Sequence, residues 1–211
     1  MKTTLSLLVV LMLAAPAAAQ QAGDVPPLSI RPFVLGTLES FAASETFDAV
    51  FGRTYQPFFG GGVQVLVDGT YFVELSASRF KDTGQRAFIS GGQAFPLGIP
   101  LTATFTPFEI TGGYRYNLTP TIKPYGAAGV GFYHYTETSG FSAAGEDVDT
   151  RHAGFVLNGG AEFRLHRWIG LALDVQYTHV PGIIGTAGVS QQAGETDLGG
   201  VAGRLKLVVG R

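Results

Sequence analysis

The chain has no cysteine among its 211 residues. That excludes disulfides, thiolate metal sites, a cysteine nucleophile and the acylated cysteine of a lipoprotein. Charge is scarce as well: Asp, Glu, Lys and Arg make up 14%, against about 25% in soluble domains. A soluble protein so poor in charge would struggle to cover its surface, whereas a lipid-facing one has no such need. The formal charge of −2 offers no basic excess, so nucleic acid is not an expected partner. Long apolar runs are also missing. Past residue 20 none approaches the roughly 18 residues of a spanning helix. Any crossing of a bilayer therefore has to use strands closed into a barrel, the other structure that satisfies every backbone group in hydrocarbon. The four histidines, His134, His152, His166 and His179, show none of the i, i+2 or i, i+4 spacings of metal ligands. No metal or other cofactor is expected.

What the chain does have begins with a leader. Met1–Thr4 is a short basic start, Leu5–Ala15 is apolar, Pro16 breaks the run, and Ala17-Ala18-Ala19 precedes Gln20. This is the pattern of a signal peptide over 1–19, cleaved before Gln20, and its apolar core is too short to span a membrane. A Pro-containing lead-in over 20–29 follows, and the barrel domain is expected over 30–211. Glycine is abundant, at 30 residues, and mean hydropathy is +0.23.

Between residues 58 and 210, apolar and polar residues alternate. In Ile169–His179 the residues Ile169, Leu171, Leu173, Val175 and Tyr177 share one side, and Gly170, Ala172, Asp174, Gln176 and Thr178 the other. A period of two marks a strand between unlike environments. Eight such strands are expected: Ile30–Glu39, Phe58–Val67, Thr70–Phe80, Ala103–Asn117, Ile122–Thr136, Ala153–Leu165, Trp168–His179 and Leu198–Val209. The links between them are alternately short and long. Asp68-Gly69, Leu118–Thr121 and His166-Arg167 make tight turns. Segments 40–57, 81–102, 137–152 and 180–197 are expected as long loops. Bacterial outer-membrane barrels have this rhythm, with short periplasmic turns and long external loops. A soluble up-and-down barrel also has eight strands but would put its apolar faces inside.

The charges decide the facing. The polar faces hold five acids, Glu39, Glu74, Glu109, Glu162 and Asp174, and five bases, Arg31, Arg115, Arg164, Arg204 and Lys206. So balanced a set suits a shared lumen in which charges pair. The opposite faces, such as Val63/Val65/Val67 and Leu205/Leu207/Val209, carry no charge, as a bilayer midplane demands at about 2–4 kcal/mol per cation. Aromatic residues cluster at the strand ends on that apolar face. Tyr71, Tyr114, Tyr116, Phe163 and Trp168 are expected as a girdle at the periplasmic end, and Phe59, Phe108, Phe132, Phe155 and Tyr177 as one at the outer end.

The leader, the loop rhythm, the glycine-rich strand Pro124-Tyr-Gly-Ala-Ala-Gly-Val-Gly-Phe132 and the alternating last strand carry a resemblance. Over about residues 30–209 the chain resembles the small outer-membrane β-barrel family of the OmpA, OmpX and opacity-protein kind. The resemblance implies an all-β fold, an eight-stranded antiparallel transmembrane barrel in the bacterial outer membrane. Its implied surroundings are outer-membrane lipids and lipopolysaccharide, with the barrel-assembly machinery as a partner during biogenesis. Family members usually end in Phe or Trp, whereas this chain ends Val208-Val209-Gly210-Arg211. Leu205, Leu207 and Val209 keep the alternation, implying tolerance or a variant assembly signal.

Eight strands leave an interior just filled by side chains. The expected function is therefore structural, or surface interaction through the loops. A small porin or hydrophobic-molecule channel and a lipid-modifying enzyme are the alternatives. Gln176–Gly185 resembles the outer-membrane lipid A deacylases, which use a His-x-Ser pair, but the serine position here is Pro181, and without a nucleophile acyl transfer cannot run. Gly126, Gly129 and Gly131 loosely match a nucleotide-binding loop, but no helix pattern follows, and they read as strand glycines. The acidic Gly145-Glu-Asp-Val-Asp149 is expected as a solvated loop, since it lacks the spacing of a calcium motif.

Overall fold

The computed structural model describes residues 27–91, 93–140 and 147–211. The expected leader, most of the lead-in, and Gly145 and Glu146 of the acidic loop lie outside these residues. The strands in chain order are β1 Leu28–Phe41, β2 Tyr55–Val67, β3 Tyr71–Ser90, β4 Gln93–Arg115, β5 Ile122–Ser139, β6 Val148–His166, β7 Ile169–His179 and β8 Gly200–Val209. Two short helices join them, α1 Ser44–Phe51 and α2 Gly188–Ala193. Every strand pairs antiparallel with its neighbours in sequence, and β1 pairs with β8, so the sheet closes into the expected eight-stranded barrel. Among the described residues no helix is long and apolar enough to cross a membrane.

Local chemistry sets the tight turns. Between β2 and β3, Asp68 and Gly69 take φ of 50° and 67°, the backbone of a hairpin turn that favours Asp-Gly. The amide of Thr70 closes it by donating to the Val67 carbonyl at 3.0 Å. Between β4 and β5, Thr119 organises the turn, its Oγ1 accepting from the Ile122 amide at 2.9 Å.

The outer connections differ from the sequence reading. The 81–102 segment expected as a loop is a strand hairpin, because β3 and β4 run on to Ser90 and back from Gln93. Phe88 and Phe95 stack across it at 5.2 Å, and Gly91 at its tip takes φ 61°. Alternation reports two unlike environments, not strand pairing itself. It fades toward the tip of this ribbon, where residues on both faces are exposed. Likewise β5 and β6 extend into the expected 137–152 loop, while 40–57 and 180–197 contain α1 and α2. At the other ends, β4 stops at Arg115 rather than Asn117, and β8 begins at Gly200 rather than Leu198.

The facing is polar-in and apolar-out. Along β8 every second residue is buried from Gly200 onward and its neighbours are exposed. On β7, Leu173 is 51% exposed while Asp174 beside it is 6% exposed. The main apolar core does not line the barrel wall. It sits at the outer mouth, where Phe41, Phe47, Phe58, Phe80 and Phe105 pack with Tyr133 and Tyr135.

A nitroxide at position 173 is expected to relax strongly with oxygen and weakly with a water-soluble nickel complex. A label at 174 is expected to be shielded from both. A position 173 closed to oxygen, with 174 open to nickel, would invert the barrel's facing.

Candidate functional site: a filled lumen and its outer mouth

At the inner end, Glu162 on β6 gathers three arginines. Its Oε1 accepts from Arg31 Nη2 at 2.6 Å and its Oε2 from Arg115 Nη1 at 2.9 Å, and Arg164 Nε lies 3.3 Å from Oε1. Gly170 makes room for this carboxylate, since a Cβ there would stand 2.6 Å from Glu162 Oε1. Arg164 Nη1 also donates to the Gly210 carbonyl at 2.7 Å, which ties the cluster to the chain end. Arg31 is fully buried, and its Nε and Nη1 have no partner among the described residues.

The middle layer is more balanced. Lys206 Nζ reaches both Glu74 oxygens at 3.1 Å and Asp174 Oδ2 at 3.2 Å. Arg204 forks onto Asp174 at 2.5 and 3.2 Å, the strong bidentate geometry, and donates to Gln176 Oε1. The Tyr125 hydroxyl donates to Asp174, and its ring lies 5.1 Å from Lys206 Nζ, within cation–π range.

Above it, Glu109 accepts from the Tyr133 hydroxyl at 3.1 Å and from Gln176 Nε2 at 3.0 Å, with Arg204 Nη1 3.9 Å away. Gly131 permits the first of these bonds: the Tyr133 ring lies where a Cβ at 131 would be, 2.4 Å from Cζ. Nine of the ten charged residues assigned to the lumen thus join ion pairs. Glu39 is the exception. It is buried and enters no ion pair among the described residues. Instead it lines, with Glu109, Phe58 and Pro107, a cavity of about 10 Å³, room for roughly one water.

The outer mouth is closed by rings. Phe41 stacks on Phe47 of α1 at 4.0 Å and touches Phe58, Phe80 and Phe105 at 6.0–6.4 Å. Phe105 stacks on Tyr133 at 5.7 Å. The sequence reading missed this cap, although a signal was present. Phe58, Phe80 and Phe105 share strand parity with Gln64, Glu74 and Glu109, so their rings had to enter the lumen.

Two acids from the last connection hold the cap. Glu195 accepts from the amides of Glu45 and Thr46 at 2.9 and 2.8 Å and from Thr46 Oγ1 at 2.6 Å. It thereby caps the first turn of α1 from across the mouth, where an anion is favoured. Asp197 accepts from the amides of Val180 and Gly199 at 2.7 and 2.8 Å and bonds His179 Nδ1 at 2.5 Å. His179 packs its ring 5.2 Å from Phe155 on the outward face, and Pro181, at the position a serine would need to occupy, pairs with Asp197. Among the described residues no group of three or more His, Cys, Asp or Glu could hold a metal ion.

All ten girdle residues stand exposed on the outside of the barrel. Tyr71 and Tyr114 meet edge-on at 5.5 Å, Phe155 and Tyr177 lie 5.9 Å apart, and Phe108 faces Phe132 across β4–β5. Arg211 sits 5.8 Å from the Trp168 ring. Midway up the outer wall, a groove of about 600 Å³ is lined chiefly by Gly36, Leu38, Phe59, Leu173, Val175 and Leu205.

Comparison with known proteins bears on this architecture. A family model for the outer membrane protein beta-barrel domain matches residues 5–203. Among solved structures, the chain is similar to the outer membrane protein OprG from Pseudomonas aeruginosa, with a TM-score of 0.53 and 12% identity over 90% of this chain and 98% of that one. It is similar to the N-terminal β-barrel domain of Pseudomonas aeruginosa OprF, with a TM-score of 0.50 and 11% identity over 87% and 97% of the two chains. Neisserial surface protein A gives a TM-score of 0.50 and 10% identity over 89% and 98%. At such identities the likeness is one of fold. No curated protein sequence matches the chain.

Glu162→Leu is expected to strand three cations and lower unfolding stability by about 3–5 kcal/mol, the scale for breaking a buried pair. Urea titration of the folded barrel measures it. Wild-type stability in that variant would mean the arginines are solvated.

Proposed function

The chain belongs to the outer membrane protein β-barrel family, located in the bacterial outer membrane, and from that premise we propose that it is a sealed, non-enzymatic barrel acting through its outer surface. Its role is then envelope structure or surface recognition, carried by the external connections. The observation behind this reading is the filling of the lumen, from the Glu162 cluster at the inner turns to the Phe41–Phe47 cap at the mouth.

The outer connections suit recognition because they are held in place. Glu195 joins the last connection to α1, and Asp197 secures its start and end. A surface fixed before binding loses less conformational entropy on contact. The β3–β4 ribbon extends this surface outward. Lipopolysaccharide and the outer-leaflet lipids are the standing partners in this reading, and the barrel-assembly machinery is the transient one. The small-channel alternative requires the aromatic cap to leave the mouth, against burial of Phe47, Phe58 and Phe105 to 1% exposure each.

Planar-bilayer recording of the folded protein separates the two. The sealed reading predicts no stable conductance steps. Reproducible ohmic steps that follow protein insertion would overturn it in favour of a channel.

A further inference from the structure

Between the polar layers and the aromatic cap, the lumen keeps a small chamber beside Glu39, a cavity of about 10 Å³. It admits one water-sized body. Oxygen lines it: Thr37 and Glu39 come from β1, Ser78 from β3, Glu109 from β4, Tyr133 from β5 and Thr178 from β7. Leu35 lies on its inner side, and Phe58 and Pro107 lie toward the cap.

Charge at this level is not matched by the chain. Glu39 is 5% exposed and makes no hydrogen bond or ion pair among the described residues. Arg204, the base that lines the chamber, forks onto Asp174 and donates to Gln176, and its ion pair with Glu109 is long, at 3.9 Å. The excess of arginine around Glu162 is remote, since Arg31 and Glu39 stand about 26 Å apart along β1 at about 3.3 Å per residue. The hydroxyls of Thr37 and Ser78 also make no hydrogen bond among the described residues. Gln56 lies directly opposite Glu39 across β1–β2. It is fully buried, and its Oε1 and Nε2 both lack a partner among the described residues. A carboxylate and an amide buried in this way cost free energy until something completes them.

We propose that the chamber holds one dehydrated monovalent metal cation, of sodium size, between Glu39 and Glu109. A water would fill the space and leave the charge of Glu39 standing. A proton would neutralise Glu39 and leave the space and the hydroxyls unfilled. A cation does both. Hard cations take carboxylate and amide oxygens, and Thr37 and Ser78 add hydroxyl oxygens of the same kind. Glu109 is already offset by Arg204 and by donors from Tyr133 and Gln176, so one unit of charge, that of Glu39, remains to be matched. Two carboxylates among neutral oxygens also fall short of a divalent cage. The ion enters as the barrel folds, because the rings of Phe41, Phe47, Phe58 and Phe105 pack together at the outer mouth. This site is independent of any role of the outer surface.

The test is reversible urea unfolding of the full-length barrel in zwitterionic lipid vesicles, in sodium chloride or in N-methylglucamine chloride of equal ionic strength. A ligand held only by the folded state lowers the unfolding constant as it saturates the site. The wild type is expected to show a constant at least about tenfold smaller in about 100 mM sodium than in N-methylglucamine. Glu39→Gln is expected to lose that difference, while Asp48→Asn, at an exposed acid of α1, keeps it. Equal wild-type stability in the two salts overturns the proposal without any variant, so failure of Glu39→Gln to fold leaves it falsifiable. A folded Glu39→Gln barrel that keeps the full sodium response also overturns it. Stabilisation by calcium but not by sodium would assign a divalent ion and overturn the monovalent assignment. Stabilisation on acidification with no sodium response would assign a proton and overturn the metal site. Conductance and partner binding do not enter this readout, so failure of the sealed, surface-acting reading is seen separately.

Discussion

A sheet placed in hydrocarbon must hydrogen-bond its own last edge, and the pairing of β1 with β8 does so. The rest of the structure depends on that closure. Eight strands set an interior about as wide as the side chains that fill it. An inward residue therefore has two options, to pair with another polar group or to pack. Glu162 with its three arginines, Asp174 with Arg204 and Lys206, and Glu109 with Tyr133 take the first. Phe58, Phe80 and Phe105 take the second. Space is tight enough that glycine decides who fits: Gly131 admits the Tyr133 ring and Gly170 admits the Glu162 carboxylate.

The two ends of the lumen differ in kind. The inner end carries more positive than negative charge, with Arg31, Arg115 and Arg164 around one carboxylate. The outer end is mostly aromatic, with Phe47 of α1 packed into it against Phe41. Glu39 sits where the polar layers give way to the rings, beside the small cavity, which accounts for its lack of an ionic partner. The cap is also tied to the external connections, since the helix that packs into the mouth is the one Glu195 fastens to the last connection.

How much of this was legible depended on whether two faces of a strand met different surroundings. Within the bilayer they do, so strand number, pairing order, facing and the inward charges follow from alternation around Leu173 and Asp174. Toward the tip of the 81–102 ribbon residues on both faces are exposed, the signal vanishes, and a paired hairpin reads as a loop. The aromatic cap was hidden differently. Phe58 adjoins Phe59, and Phe105 lies near Phe108, so inward rings read as part of an outward girdle unless parity is counted from Gln64 or Glu109. The reach of Glu195 to α1 spans 149 residues from Thr46, and local pattern carries no trace of it.

The central claim is that charges inside the barrel hold one another rather than water. The most direct test is a double-mutant cycle on Asp174 and Arg204, read by reversible urea unfolding in lipid vesicles. Asp174→Leu and Arg204→Leu are each expected to destabilise, and the double variant to recover much of the loss. The coupling energy should be about 2 kcal/mol or more, as for a desolvated pair. Losses that simply add, within about 0.5 kcal/mol, would mean that the two side chains are solvated separately and that the lumen is not the closed, self-paired interior described above.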